Sequence, residues 1–552
     1  MLINFVSIVK AEINQLLREQ FKNFAEKYGI LVDLTGFLVE YTPFKPFGDF
    51  ASNIAMVNAK KIGQPPQEIA MAIAEQINAQ SNNFSDVNAK HGFINFNLSD
   101  NFYVNMVEQI KNGFEEIESG NRESIIIEFV SANPTGPIHL GNARGGVIGD
   151  CLSNIMKRAG FCVTKEFFVN DAGNQIEIFK KSLVARLVQK FNGEDATTVP
   201  EDGYHGDDLR QLVEDYVAEN KMQFFEENKM VAEKLVEYAL KRNIEIMKQT
   251  LEKYRINYDV WFKESSLYTS GSVQNAINKL KKNGCTYEKD GAVWYRFSDG
   301  DATKDEVLIR SNGNHTYFAA DIAYHLDKFE KRKSDRCINV WGADHHGHVE
   351  RLKHALNDLG INSDRLTVVL MQIVHLIKDG DIIKMSKRTG RAITLADLLE
   401  EIPIDAVRFF FNLRETSTHL DFDMDLATEE SARNPVYYVQ YAHARICSIL
   451  KKVKTAPSVN LIKPFEETEK TLVKCLIAYP NVIENIVKTL DPSDLDRYLI
   501  DLATNFHKFY TECRVLNDAK HVLKSRLNLC KATKWVLQDG LNLLNISAPE
   551  KM

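Results

Sequence analysis

The sequence predicts a multidomain α/β protein: a parallel-sheet domain carrying an insertion, an α+β module before it and an all-α domain after it. Three observations lead there. At 552 residues the chain exceeds what one hydrophobic core organises, so two or three domains are expected. ESIIIEFV (123–130) is a continuously apolar, β-branched run with the texture of a buried parallel strand, and a Pro/Gly-rich turn and a helical pattern follow it. After Thr394 nearly every segment has helical spacing, punctuated by Pro435, Pro457, Pro464, Pro480 and Pro492.

Residues 1–110 read as an independent module. An amphipathic opening helix leads to an extended stretch with Pro43 and Pro46. A helical pattern from Asn53 to Gln80 is divided by Pro65-Pro66, and GFINFNL (92–98) alternates as a strand does. Residues 111–400 then read as a Rossmann-like domain. The strand at 123–130 passes through SANPTGP into a helix closing at Gly160, and a second strand (161–170) leads to a helix from Gly173. The pattern weakens over about 190–300, the place of an insertion. Alternation resumes with strand-like VLIRS and TYFAA, a helix after Asp321, CINVW (337–341), a helix from Val349 and a long strand over 366–377. Residues 401–552 read as the helical domain.

Hydrophobic residues make up 44% and charged ones 26%, which excludes a disordered, collagen-like or disulfide-scaffold chain. The eight cysteines lack CxxC spacing and read as reduced core residues. No apolar run approaches the ~20 residues of a spanning helix, and the N-terminus lacks the basic region and small-residue cleavage site of a signal peptide, so a cytoplasmic location is expected. The net charge of −7 argues against a non-specific nucleic-acid coat. It conceals an asymmetry, because residues 431–552 carry 18 Lys/Arg against 12 Asp/Glu, a net of +6.

Two turns carry the chemistry. His139-Leu140-Gly141-Asn142 lies where the first strand hands over to a helix, the position at which open α/β sheets bind nucleotides. Gly141 lets a base or sugar approach the backbone, the helix start favours phosphate, and His139 can donate to a phosphate oxygen. In IIKMSKRTGRAITLADLL (382–399), Lys384 and Lys387 flank Met385-Ser386 in a polar loop able to neutralise charge as pyrophosphate leaves. Either turn alone reads as a cap or a solvated loop. Asp344-His345-His346-Gly347-His348 suggests a metal, but no HExxH helix or Cys pair completes a site, so no structural zinc is expected.

Paired, HxGN and KMSK resemble the motifs of class I aminoacyl-tRNA synthetases. EFVSANPTGPIHLGNARGGVIGD, FVNDAGNQI, DVWFKESSLY, TYFAADIAYH, GADHHGHV and KMSKRTGRAITLADLLEEI resemble the arginyl-tRNA synthetase family, as do FGDFASNIAMVNAKKIG and the stretch from RNPVYYVQYAHARI to the end. The resemblance implies ATP binding by His139, Gly141, Asn142, Lys384, Met385 and Lys387, with His139, Asn142, Lys384 and Lys387 catalytic. It implies that Ser131 and Asn133 hold the α-amino end of arginine, that Glu264, Tyr317 and Asp321 read the guanidinium, and that His345 lies beside the amino acid. Many members carry a second His where this chain has Asn142, which donates a hydrogen bond but no charge. The substrates implied are ATP with Mg²⁺, L-arginine and tRNA(Arg); no membrane is involved and the usual state is a monomer. Activation in this family usually requires the bound tRNA. The helical domain is similar to the DALR anticodon-binding fold, with Tyr441 and Arg445 on the RNA side, and Phe93 and Asn95 match the region meeting the tRNA elbow. The rival readings are a class I synthetase of another specificity and a non-enzymatic RNA-binding paralogue, against which the intact KMSK loop and Asp321 argue.

Overall fold

The protein is described by a computed structural model over residues 5–27, 29, 34–42, 47–78, 84–114, 120–223, 229–297, 305–383, 393–453, 465–516 and 520–552. The chain forms two compact units. One combines residues 1–119, 430–489 and 493–552; the other holds 120–429 and 490–492.

The first unit joins the two ends of the chain. Its antiparallel sheet runs in the order Val39–Tyr41, Phe50–Ser52, Phe93–Leu98, Phe84–Lys90. The helical pattern at 53–80 resolves into Ile54–Ile62 and Pro66–Asn78, because Gly63 closes the first helix in a left-handed conformation and Pro66 opens the second. Helices Pro435–Lys452, Glu467–Thr489, Ser493–Glu512 and Lys520–Leu543 pack in the same unit. Buried Asp49 links sheet and bundle: it accepts from Leu98 N–H (2.7 Å) and Tyr103 OH (3.1 Å) and meets Lys474 Nζ at 2.5 Å.

The second unit is built on a five-stranded, all-parallel sheet in the order Leu366–Met371, Arg336–Gly342, Ser124–Glu128, Cys162–Val169, Val260–Lys263. The earliest strand is central. The chain winds outward from it to one side and then to the other, so a switch point, where such sheets bind ligands, lies beyond Glu128. Buried Ile125, Ile126 and Ile127 make this strand part of the core. Helix Leu140–Arg158 packs so closely on the sheet that a Cβ at Gly149 would stand 2.2 Å from the Phe129 ring; only glycine fits there.

Three expectations are corrected. TYFAA is not a strand: Thr316 donates to Val307 C=O (2.6 Å), accepts from Ala319 N–H, and so caps helix Tyr317–Leu326. The run at 366–377 is two strands. Only the first joins the parallel sheet; Val374–Lys378 pairs with Asp381–Ile383 and with Leu420–Asp423, a strand inside a stretch expected to be helical. Val260–Lys263, within the stretch assigned to the insertion, is the sheet's edge strand.

Candidate active site

The HxGN turn follows the central strand and so lies at the switch point. Strand Ser124–Glu128 ends because Val130 and Ser131 take left-handed backbone angles (φ 69° and 44°), a strained pair for which a β-branched valine is ill suited. The strain is held by the surroundings. Ser131 Oγ donates to Glu128 Oε1 (3.0 Å) and accepts from Phe168 N–H (3.2 Å), and Asn142 Nδ2 donates to Val130 C=O (3.4 Å). The chain then turns through Pro134 and Pro137 to His139, the N-cap of helix Leu140–Arg158, whose imidazole makes no capping bond. A Cβ on Gly141 would meet nothing within 4 Å, so the helix start opens onto free volume.

That volume is a cleft of about 1870 Å³ lined by Ser131, Asn133, His139, Asn142, Glu264, Tyr317, Asp321 and His345, among others. Every expected arginine contact is therefore brought to one cavity. Asn133 Oδ1 accepts from Asn170 Nδ2 at 2.8 Å, and its amide donates to Gln175. Lys384, Met385 and Lys387 lie outside the described residues. The described flanks are strand Asp381–Ile383 and Thr394, which pairs with His139 while Leu395 N–H donates to Ile138 C=O (2.9 Å).

The far end of the cleft is acidic. Glu264 follows the edge strand, is 8% exposed, and accepts from Tyr268 OH at 3.1 Å. Burial pushes its carboxyl up to about 7, with Tyr268 opposing and the carboxylates of Asp321 and Asp171 adding to the rise. Asp321 is no N-cap, since Thr316 fills that place; it lies one turn into the helix from Tyr317. His348 Nε2 meets Asp321 Oδ2 at 2.7 Å, which occupies one carboxylate oxygen and leaves the other for an incoming donor. The His348 ring packs among Tyr317, Phe318 and Trp341. Tyr317 is 62% exposed and offers an open aromatic face. Two carboxylates beside such a face suit a planar cation with a fork of donors.

The profile of tRNA synthetases class I (R), catalytic domain, matches residues 105–447; that of the arginyl tRNA synthetase N terminal domain matches 8–98, and that of the DALR anticodon binding domain 439–552. The chain is 46% identical to an arginine–tRNA ligase of Acetivibrio thermocellus, covering all of both chains. The chain belongs to the arginyl-tRNA synthetase family. An arginine–tRNA ligase of Caldanaerobacter subterraneus is equally similar, at 46% identity over the whole of both chains. The fold is like that of Thermus thermophilus arginyl-tRNA synthetase, with a TM-score of 0.73 at 21% identity over 98% of this chain and all of that one.

Sequence reading missed several supporting residues of this family member. Tyr268 and Glu128 hold expected site residues; both stand in passages that resemble the family, but the resemblance assigned neither of them a role. Arg144, fully buried in the motif helix, donates to the carbonyls of Gln372 (3.0 Å), Thr418 (2.9 Å), Arg414 (3.2 Å) and Glu415 (2.9 Å). Burial pulls its guanidinium down to about 10. It ties the motif helix to the segment entering strand Val374–Lys378, which precedes the KMSK residues in the chain.

In the other unit, Arg445 packs its guanidinium between the rings of Tyr441 (4.6 Å) and Tyr510 (4.8 Å). Phe93 is 37% exposed, whereas Asn95 is 1% exposed and donates to Asn88 within the sheet. Of these two residues on one strand, only the Phe93 ring is open to a contact from outside the sheet.

Proposed function

We propose that the cleft described above is where this arginine–tRNA ligase performs both steps of its reaction. The carrying observation is the meeting, in one cavity, of the His139 helix start and the acidic pocket of Glu264 and Asp321. Arginine binds with its guanidinium against Glu264, Asp321 and Tyr317, its α-amino end at Ser131 and Asn133, and His345 beside it. Its carboxylate then attacks the α-phosphorus of ATP, and the bond to pyrophosphate breaks. Magnesium arrives with ATP as part of that substrate. His139, Asn142, the amides of the helix start near Gly141, and Lys384, Met385 and Lys387 hold the nucleotide and stabilise the leaving charge. Catalysis is positioning and electrostatics, not covalent chemistry by the protein. The 2′-OH of the terminal tRNA adenosine next attacks the arginyl carbonyl and AMP leaves.

The same proposal divides the chain into 1–110 for the tRNA elbow, 111–400 for catalysis with an insertion at about 190–300, and 401–552 for the anticodon. Phe93, Tyr441 and Arg445 are the RNA contacts. Among the described residues no helix is long and apolar enough to cross a membrane, and the proposed setting is the cytoplasm, as a monomer. Lysine would leave a carboxylate partly unpaired, which gives the pocket its discrimination.

The deciding experiment is charging of total tRNA by the purified chain with each of the twenty amino acids. Arginine alone is expected to be esterified, and pyrophosphate exchange is expected to need tRNA. Charging with glutamate or cysteine in place of arginine would overturn the assignment.

A further inference from the structure

Beneath the arginine pocket lies a buried ammonium that the reaction as described does not use. Lys328 is 0% exposed and sits in a π-turn, Asp327–Lys331, that continues helix Tyr317–Leu326. Such turns re-aim side chains and are often found at functional sites. Its Nζ donates to Glu128 Oε2 at 2.7 Å and Asn339 Oδ1 at 3.1 Å, stands 3.9 Å from Glu166 Oε1, and lies 4.1 Å from the Tyr324 ring centroid. From this centre two branches run upward. One passes through Glu128, whose other oxygen accepts from Ser131 Oγ at 3.0 Å. The second passes through Asn339 Nδ2 to His325 Nε2 (3.0 Å), and His325 Nδ1–H donates to the Asp321 carbonyl at 2.8 Å. Glu128, Asn339 and His325 are all buried.

We propose that Lys328 is a positioning residue that sets the polarity of the arginine pocket, chiefly by fixing Glu128 as the acceptor for Ser131. The proposal rests on the reading of Ser131 as the α-amino contact. Lys328 holds one Glu128 oxygen, and the other accepts the Ser131 hydroxyl proton. One Ser131 lone pair receives Phe168 N–H, and the remaining one is left for a donor, which the α-ammonium of arginine supplies. The same contact holds Ser131 in its left-handed conformation. Stability alone does not call for such a centre, because a buried ion pair is often no better than an apolar replacement. The branch through His325 ends on the backbone of Asp321, so one buried charge reaches both ends of the ligand.

The test compares arginine with 5-guanidinopentanoate, which is arginine without its α-amino group, in the full-length enzyme with tRNA. In Lys328→Met the arginine KM is expected to rise about tenfold or more, while the inhibition constant of 5-guanidinopentanoate rises no more than about threefold, the share of the second branch, and the ATP KM changes by less than that. Ser131→Ala should give the loss for arginine without the loss for the analogue, and the double variant should lose no more than Lys328→Met alone. Additive losses, or equal weakening of arginine, analogue and ATP, would overturn the proposal. If Ser131→Ala does not separate arginine from its analogue, the pocket reading fails, a result distinct from failure of the Lys328 branch alone. Should Lys328→Met not fold, Asn339→Ala cuts the second branch and leaves Glu128 paired. It is expected to raise the KM of arginine and the inhibition constant of the analogue together, by about threefold, at an unchanged ATP KM; a matching rise in ATP KM, or no change at all, would overturn the role.

Discussion

The two ends of the cleft are built differently. At the acidic end, proposed for the guanidinium, each carboxylate already has a partner, Tyr268 on Glu264 and His348 on Asp321, and Glu264 is nearly out of solvent. At the nucleotide end His139 makes no capping bond, Gly141 faces open volume, and Asn142 has one long contact of 3.4 Å to Val130. The difference follows from what each end must do. A fixed planar cation is selected by fixed, desolvated acceptors, whereas a triphosphate whose charge redistributes during reaction is better met by a helix start and cations that adjust.

Breaking the rigid end should have the largest effect. Asp321→Ala is expected to lower kcat/KM for arginine about 10³-fold, because it leaves the guanidinium and His348 without their acceptor; ATP KM should move less than about threefold, and steady-state kinetics in both substrates measure this. An equal loss for ATP would erase the distinction between the ends. Lys387→Ala, at a residue proposed to meet the leaving pyrophosphate, should lower the activation rate about 10²-fold with the arginine KM nearly unchanged. Single-turnover adenylate formation reads it, and an effect confined to KM would contradict a transition-state role.

Glu264 sharpens the comparison through pH. Its carboxyl is raised to about 7 in the folded, ligand-free protein, and a cationic ligand requires the ionised form. The kcat/KM for arginine should therefore fall as pH drops through about 7, and Glu264→Gln should flatten that slope while lowering kcat/KM about tenfold at pH 8. The stability effect has the opposite sense. Because the folded state holds the proton more tightly, the charged carboxylate costs stability as pH rises from the ordinary carboxylate range through about 7. Glu264→Gln should thus be more stable at pH 8 by about 1–3 kcal/mol and show no gain at pH 4, which thermal unfolding at the two pH values checks. The smallest effect is expected at Asn142→Ala, where loss of a long, partly solvated hydrogen bond should change ATP KM less than about threefold. A large change there would show that the nucleotide end is held as rigidly as the other.

Much of this was legible in the chain. The Ile125–Ile127 run, the turn that follows and the helix closing at Gly160 announce a parallel sheet because burial on both faces demands continuous apolar residues. The supporting contacts were not legible. Glu128 and Lys328 are 200 residues apart in the chain, and with Asn339 they read as ordinary polar residues in or beside their elements; only the sheet order makes the three neighbours. TYFAA failed for a local reason, since its aromatic and β-branched start has strand texture while the Thr316 cap fixes a helix.

The sequence by itself determined the central strand with the turn and helix that follow it, the two charged motifs and the residue types offered to arginine, because hydrophobic period, turn chemistry and ionic character are local properties. Tertiary structure alone decided that Asn95 is shut away while Phe93 is exposed, that Asp321 is gripped by His348, and that Lys328 stands beneath Ser131. Burial and hydrogen-bond partners arise from which elements pack together, and the identity of a residue does not contain that.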